Sequence, residues 1–284
     1  MHRTLSRLGL GTVTAALVVV VSSPAHAAPA AHDRTVRVMS WNVHHGRGID
    51  GRLDLDRIAD EVEASGADIV GLQEVDRHWG GRSGFADQAA ELARRLHMHV
   101  VFGANLDLDP LQPGQPRRQY GTAILSDPPI HHWRNTPLPR TGNREQRGLL
   151  EALVTVRGVP IRFFTTHLQY DSQQERIAQV AAVRGVIGVP QESVVLTGDL
   201  NARPGTPEID AITEDLVDAW AEAGVGDGST LSGGDARLDY VLHSNDVVAR
   251  TAAVLSTDAS DHLPVIADLV LPGHRVGPGA AARG

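Results

Sequence analysis

The sequence predicts an α/β domain of two mixed, mostly antiparallel β-sheets packed face to face, with helices outside. Three observations carry this. From Thr35 onward, stretches with the two-residue alternation of strands succeed stretches with helical spacing. Some strands follow one another directly and others through a helix, which is the mark of mixed sheets. About nine or ten strands are too many for one flat sheet.

Before that pattern lies a leader. Arg3 and Arg7 precede an apolar run from Leu8 to Val21, and Ala25-His26-Ala27 has the A-x-A form of a signal-peptidase site. Residues 1–27 are expected to be a signal peptide, residues 28–34 a short disordered start, and the chain a secreted protein. The run is short for a membrane anchor, and nothing later approaches the roughly 18 apolar residues of a spanning helix. The mature chain is therefore expected to be soluble and monomeric, without membrane insertion.

The domain occupies 35–271. TVRVMSWNV is the first strand, and LDRIADEVEASG a helix with Gly66 as its C-cap. ADIVGLQEV is a buried strand, GFADQAAELARRLHM a helix and HVVFG a strand. YGTAILS, GLLEALVTVRG and PIRFFTTHLQY follow as strands, the last two joined as a hairpin near Gly158. DSQQERIAQVAAVRGVIG is helical. SVVLTGDL, RLDYVLHS, VARTAAVLS and LPVIADLVL complete the strands. Asn105 to Gln119 and Gly224 to Ala236 read as surface loops at the rim of a cleft. Residues 272–284 read as a disordered tail.

Composition narrows the chemistry. The chain has 284 residues and no cysteine, which excludes thiol catalysis and Cys-ligated zinc. The formal charge of −8 becomes −10 once Arg3 and Arg7 leave with the leader. Such a surface argues against a tight non-specific grip on nucleic acid or anionic membrane.

The strand ends are the informative part. Asn42 closes VMSWN, Glu74 closes DIVGLQE and His167 closes RFFTTH. Asp199 and Asn201 close VVLTGDLN, Asp239 opens DYVL, and Asp261-His262 precedes LPVIADLV. Singly, each is ordinary, since Asn and Asp cap helices and turns and a lone histidine is commonly a hydrogen-bonded core residue. Jointly they are not, because a buried carboxylate or amide costs stability unless something partners it.

The strings SWN, LQEVD, THL, GDLNARP, LDYVL and SDHLPV stand in the order of the endonuclease/exonuclease/phosphatase family, which the chain resembles from about Val36 to Leu271. The likeness is to a DNase-like, secreted bacterial member. It implies a four-layer α/β sandwich, an active site at one end of the paired sheets, and divalent-cation phosphoesterase chemistry. Asn42 and Glu74 resemble the family's metal-binding pair, with Asp261 by the same ion. Amide and carboxylate oxygens suit Mg²⁺, or Mn²⁺, better than zinc. Asp199 resembles the group that orients or deprotonates the attacking water, and Asn201 a donor to phosphate oxygens. His262, with Asp239 as its carboxylate partner, and His167 resemble phosphate-side imidazoles. Arg147 matches an arginine near the substrate.

The implied substrate is a phosphate ester, with DNA, RNA, phospholipid and small phosphodiesters all represented in the family. Few basic runs and 4% aromatic residues favour neither a processive nuclease nor a membrane-seated lipase. A catalytically silent binding module on the same fold is the alternative. A zinc protease lacks its HExxH. Arg117-Arg118 is a candidate phosphate contact, and Trp79 a candidate cleft lining. His44-His45 and His131-His132 do not read as metal pairs, because neighbours on a strand point to opposite faces. Gly46 and Gly48 resemble a phosphate loop only superficially.

Overall fold

The computed structural model describes residues 34–272. The expected leader over residues 1–27, residues 28–33 and residues 273–284 lie outside them. Arg34 and Pro272, placed by the sequence in disordered ends, are tied to the domain. Arg34 Nη1 donates to Pro272 O at 2.9 Å, and Leu271 N donates to Arg34 O at 3.0 Å.

Alternation decides what each strand turns inward. In β1 (Thr35–Asn42), Val36 and Val38 join the core between the sheets, while Met39 and Trp41 pack outward beneath helices. The same parity turns Ser40 and Asn42 inward. β2 (Ile69–Arg77) runs parallel to β1 across α1 (Leu55–Ser65) and turns Ile69, Gly71 and Gln73 inward. Asp54 caps α1 by accepting from Arg57 N, and Gly66 ends it at φ 66°, where a side chain would be strained. α2 (Gln88–Leu96) leads to the hairpin of β3 (His99–Leu108) and β4 (Arg118–Ser126). With β11 (Val248–Val254) and β12 (Val265–Val270), the first sheet has the order β11-β12-β1-β2-β4-β3.

The second sheet repeats the plan. β5 (Ile130–Pro137), β6 (Gly148–Val156) and β7 (Val159–His167) form an antiparallel meander. α3 (Gln173–Ile187), capped by Ser172, carries the chain back to β8 (Ser193–Asp199), parallel to β7. α4 (Pro207–Thr213), β9 (Val217–Asp218), α5 (Ala219–Ala223) and β10 (Asp239–His243) follow, giving the order β5-β6-β7-β8-β10-β9. α1 and α2 cover the outer face of the first sheet, α3 and α4 that of the second. The four-layer sandwich expected from the sequence is the observed architecture.

The inward faces change character along their length. Val36, Val38, Ile69, Ile161, Phe163, Val195 and Val241 make an apolar centre. One level further, Ser40 pairs with Gly71, and Thr165 with Thr197. The sheets meet closely here: a Cβ on Gly71 would lie 2.1 Å from Thr197 Oγ1 and 2.8 Å from Thr165 Oγ1. Beyond this layer come Asn42 and Gln73 on one sheet and His167, Asp199 and Asp239 on the other.

Two expectations need correction. Asn105–Gln119 is not all loop, because β3 and β4 stay paired through Leu106–Tyr120, Asp107–Gln119 and Leu108–Arg118. Apart from the buried Tyr120, those pairs are only partly covered, so the segment offers no run of buried residues to betray a strand. β5 was missed for the same reason, as the exposed edge strand IHHWRNTP. Among the described residues there are twelve strands.

Candidate active site

Strand register builds half of the site. His167, Asp199 and Asp239 are backbone neighbours across β7, β8 and β10, and all three face inward. His167 Nε2 lies 3.4 Å from Asp199 Oδ2. His262, on the segment before β12, places Nδ1 2.8 Å from Asp239 Oδ2 and Nε2 3.7 Å from Asp199 Oδ2. That segment is tied to β1 by two hydrogen bonds and braced by one of its own. Ser260 Oγ donates to Asn42 O, His262 N donates to Ser260 Oγ, and Trp41 Nε1 donates to His262 O.

The other half comes from the first sheet through irregular backbone. Between Leu72 and Val75, β2 bulges against β4, and Glu74 takes φ 57°. A left-handed non-glycine residue costs roughly 1–2 kcal/mol, and such strain persists where the surroundings enforce it. Here the bulge re-aims a side chain, as bulges beside sites do. Asn42 Nδ2 donates to Glu74 Oε1 and to Asp199 Oδ2, each at 3.1 Å, so one amide joins the two sheets. Its Oδ1 accepts from His44 N at 3.1 Å. In this arrangement Asn42 is a donor bridge, whereas the sequence suggested an oxygen ligand.

Asn201, at φ 50°, folds back so that its N–H donates to Asp199 Oδ1 at 2.9 Å. Its Nδ2 donates to Leu168 O at 3.0 Å, fixing the turn after His167. Arg147 is buried, with Nη1 2.7 Å from Glu145 Oε1 and Nε donating to Gln169. Asp261 stands apart from the Asp199 cluster: its side chain is 53% exposed, and Oδ1 lies 3.5 Å from His44 Nδ1.

The electrostatics follow from burial and crowding. Burial, then repulsion from Asp239, raise Asp199 to about 7 against the opposing pull of His262 and of the donors Asn42 and Asn201. Burial alone would lower His262, but the Asp239 carboxylate, with Asp199 and Asp261 behind it, overrides this and raises it to about 10. His167 is neutral, because burial and then the nearby Arg147 and His262 push it well below the ordinary value. Asp239 Oδ1 is buried without a hydrogen-bond partner. Asp199, Asp239 and His262 form one cluster of possible ligand atoms, Glu74 stands beside it across the Asn42 amide, and carboxylate oxygens of this kind fit a hard divalent cation.

Some neighbours escaped the sequence reading. The strand YGTAILS gives Tyr120 no role of its own, yet Arg82 lies over both its ring and that of Trp79, at 5.4 and 5.5 Å. Burial, then Glu74 and Glu145, hold the Tyr120 phenol well above its ordinary value. As strand neighbours His44 and His45 would point apart, but they lie on a 3₁₀ turn after β1, at φ 44° and 47°, with ring centroids 4.6 Å apart. The two-faces argument does not apply to them. Gly46, at φ 79°, and Gly48, where a Cβ would fall 2.0 Å from Arg57 Nη2, serve this turn. Arg117 is spent on Asp107 and Asp109, and Arg118 on Asp109 O. His131 lies on the exposed edge strand with Nε2 3.1 Å from Thr155 Oγ1.

Relatives share this framework. A crystal structure described as endonuclease/exonuclease/phosphatase from Beutenbergia cavernae DSM 12333 superposes with a TM-score of 0.74 at 29% identity, covering 86% of this chain and 73% of that one. The mannosyl-6-phosphatase of Bacteroides thetaiotaomicron VPI-5482 gives 0.67 at 20% identity, covering 83% and 100%. The human Nocturnin catalytic domain with bound sulfate gives 0.62 at 19%, covering 84% and 94%. No curated protein matches the chain in sequence. Residues 39–262 match the Endonuclease/Exonuclease/phosphatase family, whose members are divalent-metal-dependent phosphoester hydrolases, and the chain belongs to that family.

Proposed function

We propose that the chain is an exported, Mg²⁺- or Mn²⁺-dependent hydrolase of phosphate esters that acts as a monomer by water attack and prefers diesters to monoesters. The observation that carries this reading is the register of His167, Asp199 and Asp239 across three strands, joined to Glu74 by the Asn42 amide. Export rests on the leader read in residues 1–27.

Asp199 orients the attacking water and accepts its proton, a task suited to a carboxylate raised toward neutrality. His262, kept cationic by Asp239, binds a non-bridging phosphoryl oxygen as charge grows there. Neutral His167 and the second N–H of the Asn201 amide donate to the same group. Arg147 borders the substrate. Glu74 would hold the cation, with Asn42 orienting its carboxylate and Asp261 nearby. When bound, a divalent cation supplies positive charge that stabilises the transition state.

Charge balance supports the diester preference. Arg147 is paired with Glu145 and Arg82 with Asp76, so neither guanidinium is free to meet the second negative charge of a monoester dianion. The mannosyl-6-phosphatase relative makes monoesters the rival class. A panel of bis(p-nitrophenyl) phosphate, p-nitrophenyl phosphate, plasmid DNA, RNA, sphingomyelin and inositol phosphates tests the reading. Diesters should turn over faster with Mg²⁺ and stop with EDTA. Faster monoester turnover would reverse the preference, and no turnover on any ester would leave a binding module.

A further inference from the structure

Beside the Asp199 cluster lies a second convergence of donors with different chemistry. One nitrogen each of His44 and His45 and one oxygen of Glu74 lie within 4.8 Å of one another. Donors on a tetrahedral ion about 2.1 Å away sit roughly 3.4 Å apart, so modest side-chain rotation closes the set. The His44 side chain is one-third exposed, which leaves room for such a rotation.

The backbone is arranged around this meeting. All three residues are left-handed, at φ 44°, 47° and 57°, and none is glycine. In extended chain His44 and His45 would point apart, and without its bulge Glu74 would turn toward the helices. The turn is held by Gln88 Nε2, which donates to His45 O at 2.7 Å, and by Gly46 N, which donates to Val43 O at 2.7 Å. Strain enforced at three converging donors points to a use for their convergence.

Two further observations point to an ion. His45 is 6% exposed and its Nδ1 is buried with no hydrogen-bond partner, which is uncommon for a polar atom and leaves a lone pair or N–H without use. Asp261 Oδ1 faces His44 Nδ1 at 3.5 Å, the place of a carboxylate that fixes the tautomer of a ligating imidazole.

We propose that His44, His45 and Glu74 form a site for a divalent first-row transition ion, such as Zn²⁺, Co²⁺ or Mn²⁺, adjoining the phosphoesterase centre through the shared Glu74. Mg²⁺ takes oxygen ligands and keeps its waters, so two imidazoles select against it. The site does not depend on the proposed activity, since it is defined by metal binding.

Co²⁺ titrated into the purified protein, followed by visible absorption, is the test. A saturable d–d band should appear, survive excess Mg²⁺ and be displaced by Zn²⁺. His44→Asn, at a half-buried left-handed position that asparagine tolerates, and His45→Gln should each weaken Co²⁺ binding at least about tenfold. Circular dichroism checks that each variant is folded, and His44→Asn alone decides the matter if His45→Gln is not. His262→Ala should lose ester hydrolysis yet keep the band. Co²⁺ binding that excess Mg²⁺ abolishes, or that His44→Asn leaves unchanged, overturns the site even where hydrolysis is intact. A band without hydrolysis in the unaltered protein overturns the proposed function and leaves this site standing.

Discussion

The two sheets contribute to one pocket by opposite means. The second sheet delivers His167, Asp199 and Asp239 by plain alternation and register, on strands whose geometry is regular. The first sheet delivers Glu74 by a bulge, and His44 and His45 by a tight turn, all three in the left-handed region. Regular ends fix position at no conformational cost. Irregular backbone reaches positions that alternation forbids, and stores strain in doing so.

This comparison can be broken by experiment, and the largest effect concerns the cation. Removing divalent metal with EDTA should abolish hydrolysis of bis(p-nitrophenyl) phosphate, and Mg²⁺ or Mn²⁺ should restore it. Rates persisting at full value in EDTA would mean that Glu74 was re-aimed for something else. Next, His262→Ala removes the imidazolium from the regular half and should lower kcat/KM by at least about a hundredfold in steady-state assays.

Titration sharpens the contrast within the regular half. His262 is raised from 6.5 to about 10. A raised folded value means that the pair with Asp239 stabilises the fold fully below pH 6.5 and ceases to do so as pH rises through about 10. Asp239→Asn should bring the His262 titration seen by NMR down from about 10, and flatten that loss of stability. An unchanged titration would assign the shift elsewhere.

The smallest effect tests strain. His44→Gly relieves a left-handed residue and should leave thermal stability unchanged or raise it by up to about 1 kcal/mol. By contrast, Gly71→Ala thrusts a Cβ at Thr197 and Thr165 and should destabilise, by about 1–3 kcal/mol on the scale of core overpacking. Paired thermal melts would show opposite signs. Equal losses would mean that the turn carries no releasable strain.

The same contrast explains what could be read in advance. Parity along TVRVMSWN and SVVLTGD puts Asn42 and Asp199 on the inner faces, and buried runs ending in polar groups announced the site. Parity puts Glu74 on the wrong face, because the bulge at Leu72–Val75 depends on tertiary pairing with β4. Its place at a strand end marks it as a candidate, while its direction does not follow from alternation. For His44 and His45, the glycines at 46 and 48 signal a turn, but nothing in two histidines shows that it begins at His44 with left-handed backbone. The fold was legible where elements are half-buried. It is not legible in β5, which is mostly exposed, or in the far ends of β3 and β4, which are covered only in part.

The central claim is that inward-facing strand ends of two sheets meet around one cation-dependent hydrolytic carboxylate. The most direct measurement is the rate of bis(p-nitrophenyl) phosphate hydrolysis by Asp199→Asn beside the unaltered protein, at saturating Mg²⁺ and with matched circular dichroism. The account predicts a folded variant slower by at least about a hundredfold. A folded Asp199→Asn enzyme working at the full rate would contradict it.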